Sequence, residues 1–342
     1  MAHGDTERIR QYILKLIDAE DRDFARKTVE AFGVSKSTVY NYVKRLCLDG
    51  VLTKREGAMP PYGIVTERHV FTYSTEEALG EDRVFRADVM PHLAGYEKNV
   101  FSAWQYAFTE MMNNAIEHAR ASEITVTLLK NPLKTRILIY DNGVGIFQNI
   151  RSFLLRERGE ELSLDECAAL LFAGKFTTAE QYHSGEGIFF TSHLMDEFYI
   201  FSDGILFSRS NFADVTVKGA EGVGGTLVSM TLANRTKKTT KEVFDRFSDV
   251  EAGFIRTHIP IAHVFSFGNP ISRSEARRLS ALVSDFRDVT LDFSGVSEVG
   301  QAFCHELFVV WQRDNPGVVL RIVNASPDVA AMIRRVSGRL SD

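Results

Sequence analysis

Thr109–Ala119 reads TEMMNNAIEHA, the end of a helical pattern running from about 101 to 119. Glu110, Asn114 and His118 recur every four residues, so they share one helix face. Met111, Met112, Ala115 and Ile116 make the opposite side apolar. The polar face can present a carboxylate that takes a proton from water or a hydroxyl, and a carboxamide oxygen that binds Mg²⁺. Taken alone, the same pattern also describes the wet side of an amphipathic helix.

Three further pieces follow in order. DNGVGI (141–146) comes after the apolar strand pattern RILIY (136–140). An aspartate where a strand ends can accept the exocyclic amine of adenine, and Gly143 and Gly145 let a backbone approach a base closely; an Asn-Gly hairpin turn reads the same way. HSGEGIFF (183–190) carries Gly185 and Gly187 ahead of a helical pattern, an arrangement that aims backbone N–H groups at phosphate. GVGGTLVSMTL (222–232) starts a strand at Thr226, whose hydroxyl can support Asp141. No G-x-x-x-x-G-K-[ST] loop occurs, so this is not a P-loop.

As an ordered set, these pieces resemble the N, G1, G2 and G3 boxes of the gyrase, chaperone, histidine-kinase and MutL (GHKL, Bergerat-fold) ATPase superfamily over about 95–233. The resemblance implies an α/β two-layer sandwich that binds ATP with Mg²⁺. It casts Glu110 as general base, Asn114 as metal ligand and Asp141 as adenine reader. His118, Gly143, Gly145, Gly185, Glu186, Gly187, Ile188 and Thr226 are expected to form the nucleotide site. The segment between DNGVGI and HSGEGIFF is expected to be an ATP lid, a mobile cover of about 147–184, with Lys175, Thr177 and Thr178 at its end within reach of phosphate. For Lys175 an exposed structural role reads equally well. Hydrolysing members, and the serine kinases that act on anti-sigma antagonists, are similar in having Glu at the position of Glu110, where typical histidine kinases have Asn. His92 follows a proline motif rather than a phosphoacceptor pattern, and a histidine kinase is disfavoured.

Both flanks carry patterns of their own. AFGVSKSTVYNYVKRL (31–46) resembles the turn and recognition helix of winged helix-turn-helix regulators, with Ser35 or Ser37 as cap and VLTKREG and IVTERHVFTY as wing strands. Ser37, Tyr40, Asn41 and Lys44 are expected to face DNA, and Lys36, Arg45, Lys54 and Arg55 to touch phosphates. A winged helix used only for protein contacts is the competing reading. VTLDFSGVSEVGQAFCHEL (289–307) is similar to STAS domains, the fold of anti-sigma-factor antagonists. Where antagonists carry a phosphorylatable serine, this chain reads Gly300-Gln301-Ala302-Phe303. The whole resembles bacterial proteins that join an ATPase of this kind to a STAS-like tail.

The bulk numbers agree with a soluble, ordinary globular chain. Of 342 residues, 44% are hydrophobic and 25% charged, with no apolar run long enough to span a membrane and no apolar signal core. Cys47, Cys167 and Cys304 lack metal spacing and fit a reducing cytoplasm. Residues 1–57 hold eleven Lys and Arg against nine Asp and Glu, while the whole chain has a formal charge of −5. The basic end therefore sits on an acidic body.

The expected fold is multidomain α+β. A winged helix-turn-helix (1–73) and a helical linker (74–100) precede the α/β two-layer sandwich of the ATP-binding domain (101–235); a linker (236–256) and a small α/β STAS-like domain (257–342) follow. The expected function is an ATP-operated, DNA-binding transcriptional switch that hydrolyses ATP. The alternative is a serine/threonine kinase acting on a separate protein. Expected partners are ATP, duplex DNA and a protein at the STAS-like segment; a homodimer is compatible with the sequence, and no membrane is expected.

Overall fold

A computed structural model describes residues 3–76, 79–174, 186–210, 215–218, 224–249, 253–265 and 269–338. Contacts divide the chain into two compact units. The first comprises Met1–Phe71, Val126–Ile137 and Thr231–Thr236, and the second Thr72–Thr125, Leu138–Met230 and Lys237–Asp342.

The first unit is built on helices α1 (His3–Asp18), α2 (Phe24–Phe32) and α3 (Lys36–Leu48) and a hairpin of β1 (Leu52–Lys54) and β2 (Tyr62–Ile64). Gly33 ends α2 in the left-handed region, and Ser35 caps α3 by accepting from Thr38 N at 3.1 Å. Ser35, not Ser37, is therefore the cap. Ile9, Ile13, Ile17, Phe24, Val39, Val43 and Leu46 form the core, with Leu133 packed against it. Lys134 pairs with Asp18 at 2.8 Å and Arg235 with Glu7 at 2.7 Å.

The wing strands differ from the sequence expectation. Lys54 pairs with Tyr62, so the hairpin's second strand is Tyr62–Ile64. Most of IVTERHVFTY instead forms β3 (Glu67–Ser74), the edge of a seven-stranded sheet. Its alternating half-buried and exposed residues suit a strand covered on one face only.

That sheet has the order β3-β4-β5-β9-β6-β7-β8, with β4 (Glu123–Lys130), β5 (Lys134–Asp141), β6 (Glu197–Ser202), β7 (Ile205–Ser210), β8 (Val215–Lys218) and β9 (Thr226–Ala233). The boundary between the two units falls inside β3, β4, β5 and β9. In the second unit, α4 (Glu81–Val84) and two short turns lead into α5 (Lys98–His118), whose Trp104, Ala107, Phe108, Met111 and Met112 are buried. The segment expected to be a mobile cover is, over its described part, helical and packed. It forms α6 (Ile146–Arg158) and α7 (Leu164–Ala173), with Phe147, Ile150, Leu154, Cys167 and Ala168 buried. The apolar run Cys167–Leu171 is the reason: a loose cover would leave it in water.

Helix α8 (Gly187–Leu194) packs on α9 (Thr240–Phe247) through stacked Phe190 and Phe244, whose centroids are 4.1 Å apart. A short ladder of β10 (Ser248–Asp249) and β11 (Gly253–Phe254) precedes the last layer. There β12 (Arg256–Pro260), β13 (Asp288–Asp292) and β14 (Val319–Val323) form a parallel sheet in that order. It is connected through α10 (Ile261–Val264), α11 (Arg273–Val283), α12 (Gln301–His305) with its π-helical extension to Trp311, α13 (Gln312–Asp314) and α14 (Pro327–Ser337). Helix α7 packs against β12, α10 and α11, and Arg278 of α11 pairs with Glu166 of α7. Among the described residues, no helix is long and apolar enough to cross a membrane.

Candidate functional site

Strand β5 alternates strictly, so Thr135, Ile137, Ile139 and Asp141 all face inward. Asp141 is therefore a carboxylate on a core face, 4% exposed. Its Oδ1 accepts from Gly143 N at 3.0 Å and Thr226 N at 3.3 Å. Burial pushes its pKa up, the two N–H donors oppose the shift, and the Asp203 carboxylate adds to it. Its neighbour Asn142 points outward and ties the loop to Ser122 and Glu123, whose backbone N–H groups donate to Oδ1 at 3.0 and 3.1 Å.

The motif glycines have packing reasons beyond an approaching base. A Cβ on Gly143 would collide with the Ala119 carbonyl, one on Gly145 (φ 83°) with the Asp203 carboxylate, and one on Gly225 (φ 85°) with the Asp141 carbonyl. The chain itself needs these glycines in order to close the loop.

The first and third motifs meet. A Cβ on Gly187, at the start of α8, would strike the Glu110 carboxylate. Tyr106, one turn before Glu110, has its pKa raised by burial and then by the carboxylates of Glu110 and Glu186. Glu110 and Glu186 thus share one neighbourhood at the N-terminus of α8, where backbone N–H groups favour negative charge. Asn114 is half-buried one turn further along α5, and the His118 carbonyl accepts from Asn149 Nδ2 at 3.3 Å. A cavity of about 330 Å³ opens beside the end of α5, lined by Glu117, His118, Arg120, Val144, Gln148 and Asn149 among others. Among the described residues of the expected site, His118 lines it and Glu110, Asn114 and Asp141 do not. Ile188 is half-buried in the first turn of α8. Lys175, Thr177 and Gly185 lie outside the described residues.

Thr226 meets Asp141 through its backbone N–H rather than through the hydroxyl the sequence suggested, and the hydroxyl has other company that sequence reading missed. Thr226 Oγ1 and the Ser202 Oγ both accept from Ile146 N at 3.1 Å, and Asp203 Oδ2 accepts from Phe147 N and Gln148 N at 3.1 Å each. Ser202 and Asp203 belong to Ser-Asp-Gly (202–204), where Asp203 and Gly204 turn the β6–β7 hairpin at φ 55° and 74°. The Asp-Gly pair signals that turn in the sequence; nothing local announces that its side chains reach α6.

On α3, Lys36, Ser37, Tyr40, Asn41, Lys44 and Arg45 are all exposed while Val39, Val43 and Leu46 are buried, and the Tyr40 ring also meets Phe24 edge-on. Lys54 is exposed on β1. Arg55 differs: its Nε donates to the Tyr62 carbonyl at 3.2 Å and its Nη1 to Glu20 at 3.3 Å. Its guanidinium braces the hairpin, and this lowers its availability to phosphate. Cys167 and Cys304 are buried, and desolvation pushes their thiols up to about 11 and about 12, which disfavours the reactive thiolate; Cys47 is half-buried.

Residues 74–207 match the family model of the histidine kinase-like ATPase domain, and residues 275–330 match that of a STAS-like domain of unknown function. No curated protein matches the chain. A GHKL-type ATPase domain implies ATP binding, and ATP-hydrolase or kinase chemistry in general.

Proposed function

We propose that this GHKL-type ATPase domain binds ATP with Mg²⁺, hydrolyses it with Glu110 as general base, and uses the nucleotide state to switch DNA binding by the N-terminal helices. The observation that carries the catalytic part is the Glu110 carboxylate against Gly187, at the N-terminus where phosphate charge would settle. Asp141 would accept the adenine amine and Asn114 would hold the metal. Among the described residues no cluster of three or more His, Cys, Asp or Glu could hold an ion unaided. That suits Mg²⁺, which keeps waters and phosphate oxygens and needs only one or two protein ligands. Incubating the full chain with γ-labelled ATP tests the assignment. Free labelled phosphate is expected; label carried onto a separate protein with none released would replace hydrolysis by the kinase reading. That alternative takes a separate substrate, because Gly300-Gln301-Ala302-Phe303 carries no hydroxyl where antagonists are phosphorylated, and Ser294 and Ser297 are displaced from that position.

The DNA part rests on the exposed face of α3. Residues 36–55 hold five Lys and Arg against one Asp, so duplex affinity should fall steeply with salt. Lys44→Ala with Arg45→Ala should weaken binding to all sequences alike and flatten the salt slope by up to about 2. Tyr40→Ala or Asn41→Ala should blur specificity more than affinity. Fluorescence anisotropy across a salt series checks this; a double variant with the parent's slope would remove α3 from the interface.

Coupling gives a second prediction. Typical coupling energies of about 1–3 kcal/mol correspond to roughly 5- to 150-fold in affinity. DNA affinity of the full chain is therefore expected to differ at least several-fold between apo protein and a complex with a non-hydrolysable ATP analogue, at one salt concentration. Analogue affinity should shift by the same factor when DNA is added. Equal DNA affinities would sink the switch.

A further inference from the structure

We propose that Asp203 is a positioning residue of the nucleotide site: from the β6–β7 turn its carboxylate caps helix α6 and holds the Asp141–Gly145 loop in the geometry that reads adenine. This rests on the ATP reading above and adds a residue that no motif supplies.

Helix α6 starts directly after the DNGVG loop, and its N-cap is Gly145, which has no side chain to give. The first N–H groups of a helix have no partner within the helix, and leaving them unmet is costly. Here three of them are met from elsewhere in the chain. Ile146 N is shared by Ser202 Oγ and Thr226 Oγ1, while Phe147 N and Gln148 N both donate to Asp203 Oδ2. The carboxylate also faces the positive end of the helix. Helix α6 can therefore begin only where β6 and β9 place these oxygens.

The same atoms reach the adenine side. Ser202 Oγ lies 3.0 Å from Asp203 Oδ2, 2.9 Å from the Gly225 carbonyl and 3.3 Å from Thr226 Oγ1. Thr226 N donates to Asp141, and Gly225 packs on the Asp141 carbonyl. Asp203 fills the space a side chain on Gly145 would need. One connected group thus links the turn, the start of α6 and the base-reading carboxylate.

The test compares Asp203→Ala and Asp203→Asn in the full chain. Amide hydrogen exchange at Phe147 and Gln148 reports the cap without nucleotide, and calorimetry gives ATP, ADP and GTP affinities. In Asp203→Ala both amides should lose protection, and ATP and ADP should weaken alike by about tenfold, the scale of a lost cap. The preference for ATP over GTP should shrink, which a general loss of stability would not cause. Asp203→Asn keeps an oxygen acceptor and should recover to within about threefold of the parent. Parent-like exchange and ATP affinity in Asp203→Ala would overturn the inference. If that variant does not fold, Asp203→Gly, which keeps the turn at φ 55° without strain, decides: rapid exchange at Phe147 and Gln148 is expected, and parent-like protection would overturn the inference. A parent that binds no ATP would remove the nucleotide reading instead, and the exchange data would still report on the cap.

Discussion

Asp141→Ala is expected to bind ATP at least about a hundredfold more weakly than the parent. A hydrogen bond to a charged group contributes about 1.5–3 kcal/mol. Removing the carboxylate also strands the buried N–H groups of Gly143 and Thr226, which donate to it, at about 1–3 kcal/mol for each group left unpaired. Only part of that second cost has to disturb the loop for the total to pass about 2.7 kcal/mol, the equivalent of a hundredfold. Asp141→Asn separates the two effects. Its carboxamide oxygen can still accept from the loop, so the fold should survive while the charge-assisted bond to adenine weakens. Calorimetry with a thermal melt on each variant checks this. If Asp141→Ala bound ATP as tightly as the parent, adenine would have to be read elsewhere. Asn114→Ala should lose Mg²⁺-dependent binding by a different route, through the metal rather than the base.

Glu110→Ala should leave ATP affinity near the parent value and lower turnover by about 10²- to 10⁴-fold, the usual range for a positioned proton acceptor. A general base acts on a proton in the transition state, so its loss lowers kcat rather than ground-state binding. The carboxylate lies against Gly187 and shares its surroundings with Glu186 and Tyr106, so the variant also removes negative charge from the place where phosphate would sit. ATP affinity should, if anything, rise slightly. Single-turnover phosphate release checks the rate, and calorimetry checks the binding. Unchanged turnover would move the base, and Glu117, which lines the neighbouring cavity, is the next carboxylate to test.

Much of this architecture is local in origin and therefore legible. The i, i+4, i+8 stripe of Glu110, Asn114 and His118 defines a helix and its polar face whatever packs around it. The apolar run RILIY marks a strand that ends at Asp141, while the inward facing of that carboxylate is seen only in the fold. Gly33 ends α2 in a left-handed turn and Ser35 caps the start of α3. The extent of the wing was less legible, because IVTERHVFTY has strand propensity throughout and cannot say which neighbour each half will pair with.

The order of the four motifs, the amphipathic face of α5, the strand that ends at Asp141 and the exposed basic residues of α3 can all be read from the amino-acid order. Each follows from a period of 3.6 or 2 and from the backbone demands of glycine, which short stretches carry in full. Packing in three dimensions is what makes Gly145 leave room for Asp203, sets the Glu110 carboxylate on Gly187, and gives α6 its capping oxygens from Ser202, Asp203 and Thr226. These partners stand 55 to 80 positions apart. A hydrogen bond forms wherever strand order brings donor and acceptor within about 3 Å, and separation along the chain leaves no periodicity from which that meeting could be read.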